Sequence, residues 1–564
     1  MKGPHRASRI TIIVIMLFAT WASVHFRYVG VPGNDWHDAI NSDGKSYYEY
    51  LRLFLFPEGH PHIRHEGAPE ASTPVIRHFG GAAACMAPFV FVAHGYTLLK
   101  SGGVEDGYSL HYQAAVGLAA LFHLALGMIA LRRYLLTQGF GDLIVSCTII
   151  AFSLGTGLIT QAVVHPAMSH VYGFAVIALL FRCAQLLVRG PTPSLLVVCA
   201  ALFALAIWIR PVNGLVLFAL PLAAYGTSAS ISAVARLLVS RWGPIAMLVA
   251  VAILSLQCML WYVQNGSFFA WSYADMGFHW SRPAVLRSLF SARSGLFFYW
   301  PLLLLLVPGA IVLWRHNMKL GALFAIFWAA FMYVTASWWN WCYDNFGQRT
   351  YVDVLAAMAL PFALAIPSKG SLRSIFLVGL VLCTALNLFQ SWQYSRYLLL
   401  PWQTDVRMYK YIFLATDPER AMAVGGHVDM PSYAPRGREV IPTQFVMFPR
   451  IDGGSDTTLI ARAAMPFATI GKATYFELDV ERTETIAGAS ADARIALRFR
   501  NKDQLRPIHS WRMNVVPDGA RSERWHYAFN LYAQQRGDTL EVLCVGGNAG
   551  WLARTASAQF SVAR

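Results

Sequence analysis

Residues 10–29 read ITIIVIMLFATWASVHFRYV, and Lys2, Arg6 and Arg9 stand before them. A helix needs about 20 mainly apolar residues to cross a bilayer, and this stretch carries no ionisable side chain until His25 and Arg27. Basic residues flanking a span stay on the cytoplasmic side, so the N-terminus is expected inside. The stretch is too long and too aromatic at its end for a typical signal peptide, and no small-residue cleavage site stands out; it reads as a retained signal anchor.

The rest of the chain continues in the same vein. Its 564 residues are 56% hydrophobic and 13% charged, with a mean hydropathy of +0.44, against roughly 45–50% and about 25% in soluble proteins. So little charge cannot cover a soluble particle of this size, which excludes soluble, disordered and fibrous classes. Further apolar segments fall at 112–131, 143–163, 168–188, 243–263, 296–314, 320–337, 351–367 and 373–392. A stretch at 194–226 is broken by Arg210-Pro211, and one at 79–99 contains Pro88 and His94. The net charge of +15 would point to nucleic acid in a soluble chain; here it sorts by side. The N-terminus and the connectors holding Arg132-Arg133, Arg182, Arg189, Arg236, Arg241, Arg315, Lys319, Lys369 and Arg373 carry 13 basic residues and one acid, Asp142. All lie inside if 79–99 rests on the surface without crossing and 194–226 is a hairpin of two short helices turning at Arg210-Pro211. Letting 79–99 cross would put Arg132-Arg133 and Arg189 outside, against the positive-inside bias. The expectation is a polytopic α-helical membrane protein of about eleven spans, N-in and C-out, with 30–111 as one outer loop of nine acids and five basic residues.

Beyond residue 393 the composition turns polar. Short alternating segments recur at Gln444–Phe448, Thr458–Ala464, Thr474–Val480, Arg494–Phe499, Trp511–Val516, Trp525–Tyr532, Thr539–Val545 and Ser557–Val562, separated by turns such as Asp452-Gly453-Gly454 and Pro517-Asp518-Gly519. Strands at that spacing predict an all-β sandwich or jelly roll. The expected domains are a membrane domain over 1–392, a linker over 393–423 and an extracytoplasmic β-sandwich over 424–564. Of the eight cysteines, five sit in spans, none forms a CxxC pair, and Cys544 is alone in the β-domain, so no disulfide framework is expected.

The outer loop carries the first chemistry, Asn41-Ser42-Asp43-Gly44-Lys45-Ser46-Tyr47-Tyr48-Glu49-Tyr50. A carboxylate at the membrane face can act as general base on a hydroxyl or help hold a metal; a solvated acidic turn is the plain alternative. His60, His62 and His65, with Glu58 and Glu66, match no ordered ligand set around Pro61, so no metal site is assigned. Glu105 and Asp106 form a second acidic pair at the entry to a span, and His165 to His170 make a tight outer turn. Arg210 and Arg349 lie outside, against the usual bias, and a charge at that depth needs a partner. A lipid phosphate suits a guanidinium; a salt bridge to an acid such as Asp353, or a headgroup, would serve equally. Trp338, Trp339 and Trp341 read first as an interfacial belt rather than a stacking platform for sugar.

In this order the motifs Ser42-Asp43-Gly44-Lys45-Ser46-Tyr47-Tyr48, Asp106-Gly107-Tyr108-Ser109, His165-Pro166-Ala167-Met168-Ser169-His170, Ile209-Arg210-Pro211-Val212-Asn213 and Phe346-Gly347-Gln348-Arg349 resemble the GT-C superfold of glycosyltransferases. The closer resemblance is to its RgtA/B/C/D-like or mannosyltransferase-like bacterial branch, over roughly residues 8–392. The resemblance implies a GT-C-like catalytic membrane domain in the bacterial inner (cytoplasmic) membrane, with the β-domain in the periplasm. It implies an inverting enzyme that moves a sugar from a polyprenyl-phosphate donor to a glycan, lipid or protein acceptor, with no nucleic acid involved. A transporter, flippase or ligase for lipid-linked glycans is the alternative, and a scaffold for the β-domain the third reading. Carried over, Asp43 is the catalytic acid of the first loop, and Asp106 or Glu105 the second acidic position. Arg210 and Arg349 are the candidates for the lipid phosphate, with Gln348, His165, His170, Lys45 and Tyr47 as further substrate contacts. Where the family often shows paired acids, this chain has Asp43 followed by Gly44. No cofactor is assigned, and a divalent cation, Mg or Mn, is left open. The β-domain is expected either to bind carbohydrate and position the acceptor or to act as a cap. A cavity opening outward, with Asp43 facing Arg349 across it, is the geometric expectation.

Overall fold

Asp43, in the outer loop, begins a helix rather than sitting in a turn. In the computed structural model the described residues are 6–28, 38–56, 75–101, 107–226, 231–273, 276–342, 347–396, 398–399, 404, 406–416, 438–447, 451–452, 457–469, 474–486, 493–512, 522–531, 534–546 and 549–563. The chain divides into two compact units, Met1–Ser391 and Trp392–Arg564.

The first unit is helical. Its elements are α1 (Ala7–Tyr28), α2 (Asp43–Leu55), α3 (Gly81–Ser101), α4 (Leu110–Thr137), α5 (Asp142–Leu154), α6 (Leu158–Val163), α7 (His170–Arg189) and α8 (Pro193–Ile209). Then come α9 (Ile231–Val239), α10 (Trp242–Asn265), α11 (Val285–Phe290), α12 (Leu296–Tyr299), α13 (Leu306–His316), α14 (Met318–Ser337), α15 (Thr350–Asp353), α16 (Leu355–Ala365) and α17 (Gly370–Ser395). Among the described residues seven helices are long and apolar enough to cross a membrane: α1, α3, α4, α7, α10, α14 and α17; α5, α8, α16 and the piece 301–316 are shorter apolar helices. Sequence punctuation explains the short ones. Gly155 and Gly157 part α5 from α6, and Pro301 opens a 3-10 turn before α13. Thr192 caps α8, its side chain accepting from Leu195 N at 3.3 Å, with Pro193 at the first helical position. Arg210 is extended and ends α8, and Pro211 starts a 3-10 stretch to Phe218, so the break falls at Arg210-Pro211 as expected.

Burial separates core from periphery. In α7, 72% of the apolar window is buried, whereas in α10 and α17 only 11% and 22% is. Apolar helices with open apolar faces suit lipid rather than water. Segment 79–99 is the 21-residue helix α3, which runs antiparallel to the start of α4: His94 Nδ1 meets the Tyr112 hydroxyl at 2.7 Å, and Phe89 meets Phe122 at 5.4 Å. His123 of α4 reaches Tyr172, near the start of α7, at 4.9 Å. The first three turns of α4, about 16 Å, therefore project past the start of α7, and α3 packs on that projection.

Among its described residues the second unit holds the short helix α18 (Val406–Ile412) and ten strands: β1 (Arg438–Ile441), β2 (Val446–Met447), β3 (Ile451–Asp452), β4 (Thr457–Ala464), β5 (Thr474–Glu484), β6 (Arg494–Asn501), β7 (Gln504–Arg512), β8 (Ser522–Leu531), β9 (Thr539–Val545) and β10 (Trp551–Ala563). One sheet is ordered β1-β10-β5-β8 with β3 beside β10, the other β2-β4-β9-β6-β7, and all the pairings are antiparallel. Inward residues of both, among them Phe476, Leu478, Phe499, Phe529, Val542 and Phe560, form one core. This is the expected two-sheet sandwich, with β1 and β3 beyond the expected segments. Of the strand expected at 511–516, residues 511 and 512 end β7, which starts at Gln504 after a tight hairpin from β6, and 513–516 lie outside the described residues.

Candidate active site

Helix α2 is fixed at both ends. At its far end the Tyr48 hydroxyl donates to Gly107 O at 2.7 Å, Arg52 pairs with Glu49 at 3.0 Å, and the Arg52 guanidinium lies 4.7 Å over the Tyr108 ring. At its start the chain packs on the turn before α7: a Cβ at Gly44 would come within 2.7 Å of the Ala167 Cβ. Only glycine allows that approach, which is why a second acid cannot follow Asp43 here.

The approach puts Asp43 at the edge of a cavity of about 440 Å³. Arg349, delivered by the turn into α15, donates from Nη2 to Asp43 Oδ2 at 2.7 Å. The side chains are 30% exposed for Asp43 and 10% for Arg349, so the pair looks into the cavity while largely shielded. Gly347, at φ +71°, makes the turn that aims Arg349 while its Cα faces the Trp300 ring. Burial alone would raise the Asp43 carboxyl; Arg349, by charge and hydrogen bond, outweighs it and holds the group well below the usual carboxylate range.

A second polar chain lies beside this pair. Buried His170 donates from Nδ1 to Asp353 Oδ1 at 2.6 Å, and Asn213 Nδ2 donates to Asp353 Oδ2 at 3.1 Å. Arg210 Nη1 lies 3.1 and 3.4 Å from the two His170 ring nitrogens. Arg210 and His170 line the cavity, as do Tyr47, Arg77 and His78. The facing wall is aromatic, with Trp271, Tyr273, Phe278, Trp338 and Trp339. Phe278 and Trp338 form a bridge between their backbones, and Tyr273 meets Trp338 edge-on at 5.4 Å.

The expected residues therefore separate. Asp43, Arg349, Arg210, His170 and Tyr47 come together at the cavity. Gln348 does not line it; its amide donates to Ser294 O and Trp341 O, both at 3.0 Å. His165 lies behind, its Nδ1 3.4 Å from Asn41 Oδ1, and burial with the charges of Arg349 and Arg27 lowers its imidazole to about 3. Lys45 is exposed and outside the lining. Asp353, weighed as a salt-bridge partner for an arginine, serves His170 and Asn213 instead. Trp338 and Trp339, read as belt residues, form cavity wall. Glu105, Asp106 and the histidines at 60, 62 and 65 lie outside the described residues. Among the described residues no three His, Cys, Asp or Glu side chains gather to hold a metal. Arg77, His78 and the aromatics of 271–278 were missed: a lone histidine before an apolar run and aromatics in a long loop carry no spacing signal.

No protein-family model matches the chain, and no curated protein matches it. Among solved structures it is similar to ArnT from Cupriavidus metallidurans bound to undecaprenyl phosphate, at 18% identity and a TM-score of 0.40, over 67% of this chain and 63% of that one. It is also similar to the arabinosyltransferase EmbB from Mycobacterium smegmatis, at 12% identity and a TM-score of 0.38, over 98% and 64%. A third is the archaeal oligosaccharyltransferase AglB from Archaeoglobus fulgidus in complex with an inhibitory peptide and a dolichol-phosphate, at 12% and 0.36, over 68% and 55%. The chain thus spans less than two thirds of the length of each. At these identities and TM-scores, any chemistry must stand on this chain's own side chains.

Proposed function

We propose that the protein is an inverting glycosyltransferase that moves a sugar from a polyprenyl-phosphate donor to an acceptor hydroxyl on the extracytoplasmic face of the bacterial inner membrane. The observation that carries the reading is the Asp43–Arg349 pair, brought together across 306 residues at a cavity whose other charged lining groups are Arg77 and Arg210. A polyprenyl phosphate is already a good leaving group. The enzyme needs to align a hydroxyl on the anomeric carbon and to offer positive charge to the departing phosphate. Asp43 Oδ2 is taken by Arg349, which leaves the other carboxylate oxygen for the acceptor hydroxyl. Arg349 and Arg210 suit the phosphate, since guanidinium binds phosphate oxygens bidentately. Arg349 cannot serve both anions fully, so donor binding draws it from Asp43 and strengthens the carboxylate as a hydrogen-bond acceptor. The carboxylate is thereby freed to orient the acceptor hydroxyl only when a donor is seated.

The test is incubation of purified protein in lipid with a panel of polyprenyl-phosphate sugars, following release of free polyprenyl phosphate. Release is expected, and Asp43→Asn should lower it by about 10²-fold or more with normal membrane insertion. Full activity in Asp43→Asn would remove Asp43 from the mechanism. Donor movement across the bilayer without release would mark a transporter.

A further inference from the structure

Among the cavity groups, His78 has the most support built around it and the least to do in the fold. Its ring is buried, 9% exposed, stacked on Tyr47 at 4.4 Å and edge-on to Tyr273 at 5.9 Å. Among the described residues its Nδ1 has no hydrogen-bond partner. A buried polar atom left unpaired costs stability, so the arrangement calls for a reason.

The backbone on both sides of His78 is held by side chains from elsewhere. The Tyr50 hydroxyl donates to His78 O at 2.7 Å and receives Gln257 Nε2 at 3.1 Å. Gln257 Oε1 accepts from Gly80 N at 2.9 Å and from Trp208 Nε1 at 3.0 Å. Gln264 Oε1 accepts from Ile76 N at 2.7 Å, and Ser272 Oγ donates to Arg77 O at 2.6 Å. Gln257 and Gln264 both lie on α10, the most openly apolar of the long helices, where a polar side chain is expensive. Two such residues fix a five-residue segment, 76–80, whose histidine faces the cavity that holds Asp43, with no hydrogen bond to Nδ1 among the described residues.

We propose that His78 receives the acceptor's proton during transfer, with Asp43 supplying the negative charge that steadies the resulting imidazolium. The inference rests on glycosyl transfer being the reaction. The acceptor oxygen bonds to the anomeric carbon as the bond from that carbon to the phosphate oxygen breaks, and the electron pair leaves on the phosphate. The hydroxyl proton passes to an imidazole nitrogen of His78 and goes on to the phosphate or to water as products depart. The charged groups around the ring are Asp43, Arg349, Arg77 and Arg210. Burial lowers the imidazole to about 4, Asp43 pulling it up and the arginines pushing it down, so at neutral pH it is unprotonated and free to accept. Asp43, held far lower by Arg349, would store a proton poorly.

The test compares His78→Ala with wild type in lipid, with and without added imidazole. The expected result is a fall in kcat of about 10²–10⁴-fold, binding of bare undecaprenyl phosphate within about twofold of wild type, and saturable recovery by imidazole. In wild type kcat/KM should drop as pH falls through about 4, where the ring takes a proton; His78→Gln should lose that limb. His78→Phe, which keeps the stack on Tyr47, covers the case in which the alanine variant does not fold, and must be as inactive. Activity within about threefold of wild type in either variant overturns the proposal, as does a stable His78→Ala that imidazole does not rescue. Wild type that binds undecaprenyl phosphate but releases none from any donor would instead overturn glycosyl transfer itself.

Discussion

Ser42 precedes the key carboxylate with φ 49° and ψ −138°, a region L-residues avoid and that costs of order 1–3 kcal/mol. The cost is borne where α2 must start abruptly against the turn at Ala167. Ser42→Gly should relieve it, raising stability by about 1 kcal/mol in thermal unfolding, while loosening Asp43 and lowering kcat. The side chains around it show how far one line of sequence could be read. Asp43 and Tyr47 are four apart, so a helix sets them on one face, whereas Lys45 at two positions on points away. The motif suggested all three as contacts; helix geometry keeps two. Gln348 was legible as important but not in what way, since its amide ties two backbone carbonyls rather than a ligand. His78 had no legible signal, because its meaning comes from glutamines 179 and 186 residues later, the differences to Gln257 and Gln264.

At the scale of elements, the structure turns on short pieces wedged between long helices. The four-residue helix α15 is locked to α7 and to the 3-10 stretch after α8 by one buried carboxylate, Asp353, through His170 and Asn213. Asp353→Ala would strand both partners and is expected to cost about 3 kcal/mol, read as a lowered unfolding midpoint in detergent, and to release His170 from Arg210. Hydropathy found the spans as continuous runs, but could not show that 143–163 parts at Gly155 or that 296–314 passes through a 3-10 turn at Pro301. Most of the sandwich strands were legible by alternation. The short β1 and β3 were not, and neither was the start of the strand at 504–512, where Pro507 interrupts the pattern and pairing with β6 makes it a strand.

The whole molecule joins an apolar helical unit to a polar β-sandwich unit that follows it in the chain, a division written into the amino-acid composition on either side of residue 393. Where Lys and Arg fall predicts an outer-surface position for α3. Exposed positions Val92 and Leu99 of α3 test this. If α3 rests on the outer surface, cysteines placed at either should react with an impermeant thiol reagent from the same side, in a background lacking the native cysteines. Labelling from opposite sides would mean that α3 crosses, and the inner-loop arginines would then need another account.

The pairing of Asp43 with Arg349 also has a consequence for biogenesis. The carboxylate is made early, and its partner follows 306 residues later. At ordinary rates of synthesis, roughly 15–60 s pass between them. Through that interval Asp43 lacks its hydrogen-bonded arginine, and no truncated chain that stops short of residue 349 can form the pair. The pair is thus a late checkpoint: it closes only once nearly all of the helical unit has been made.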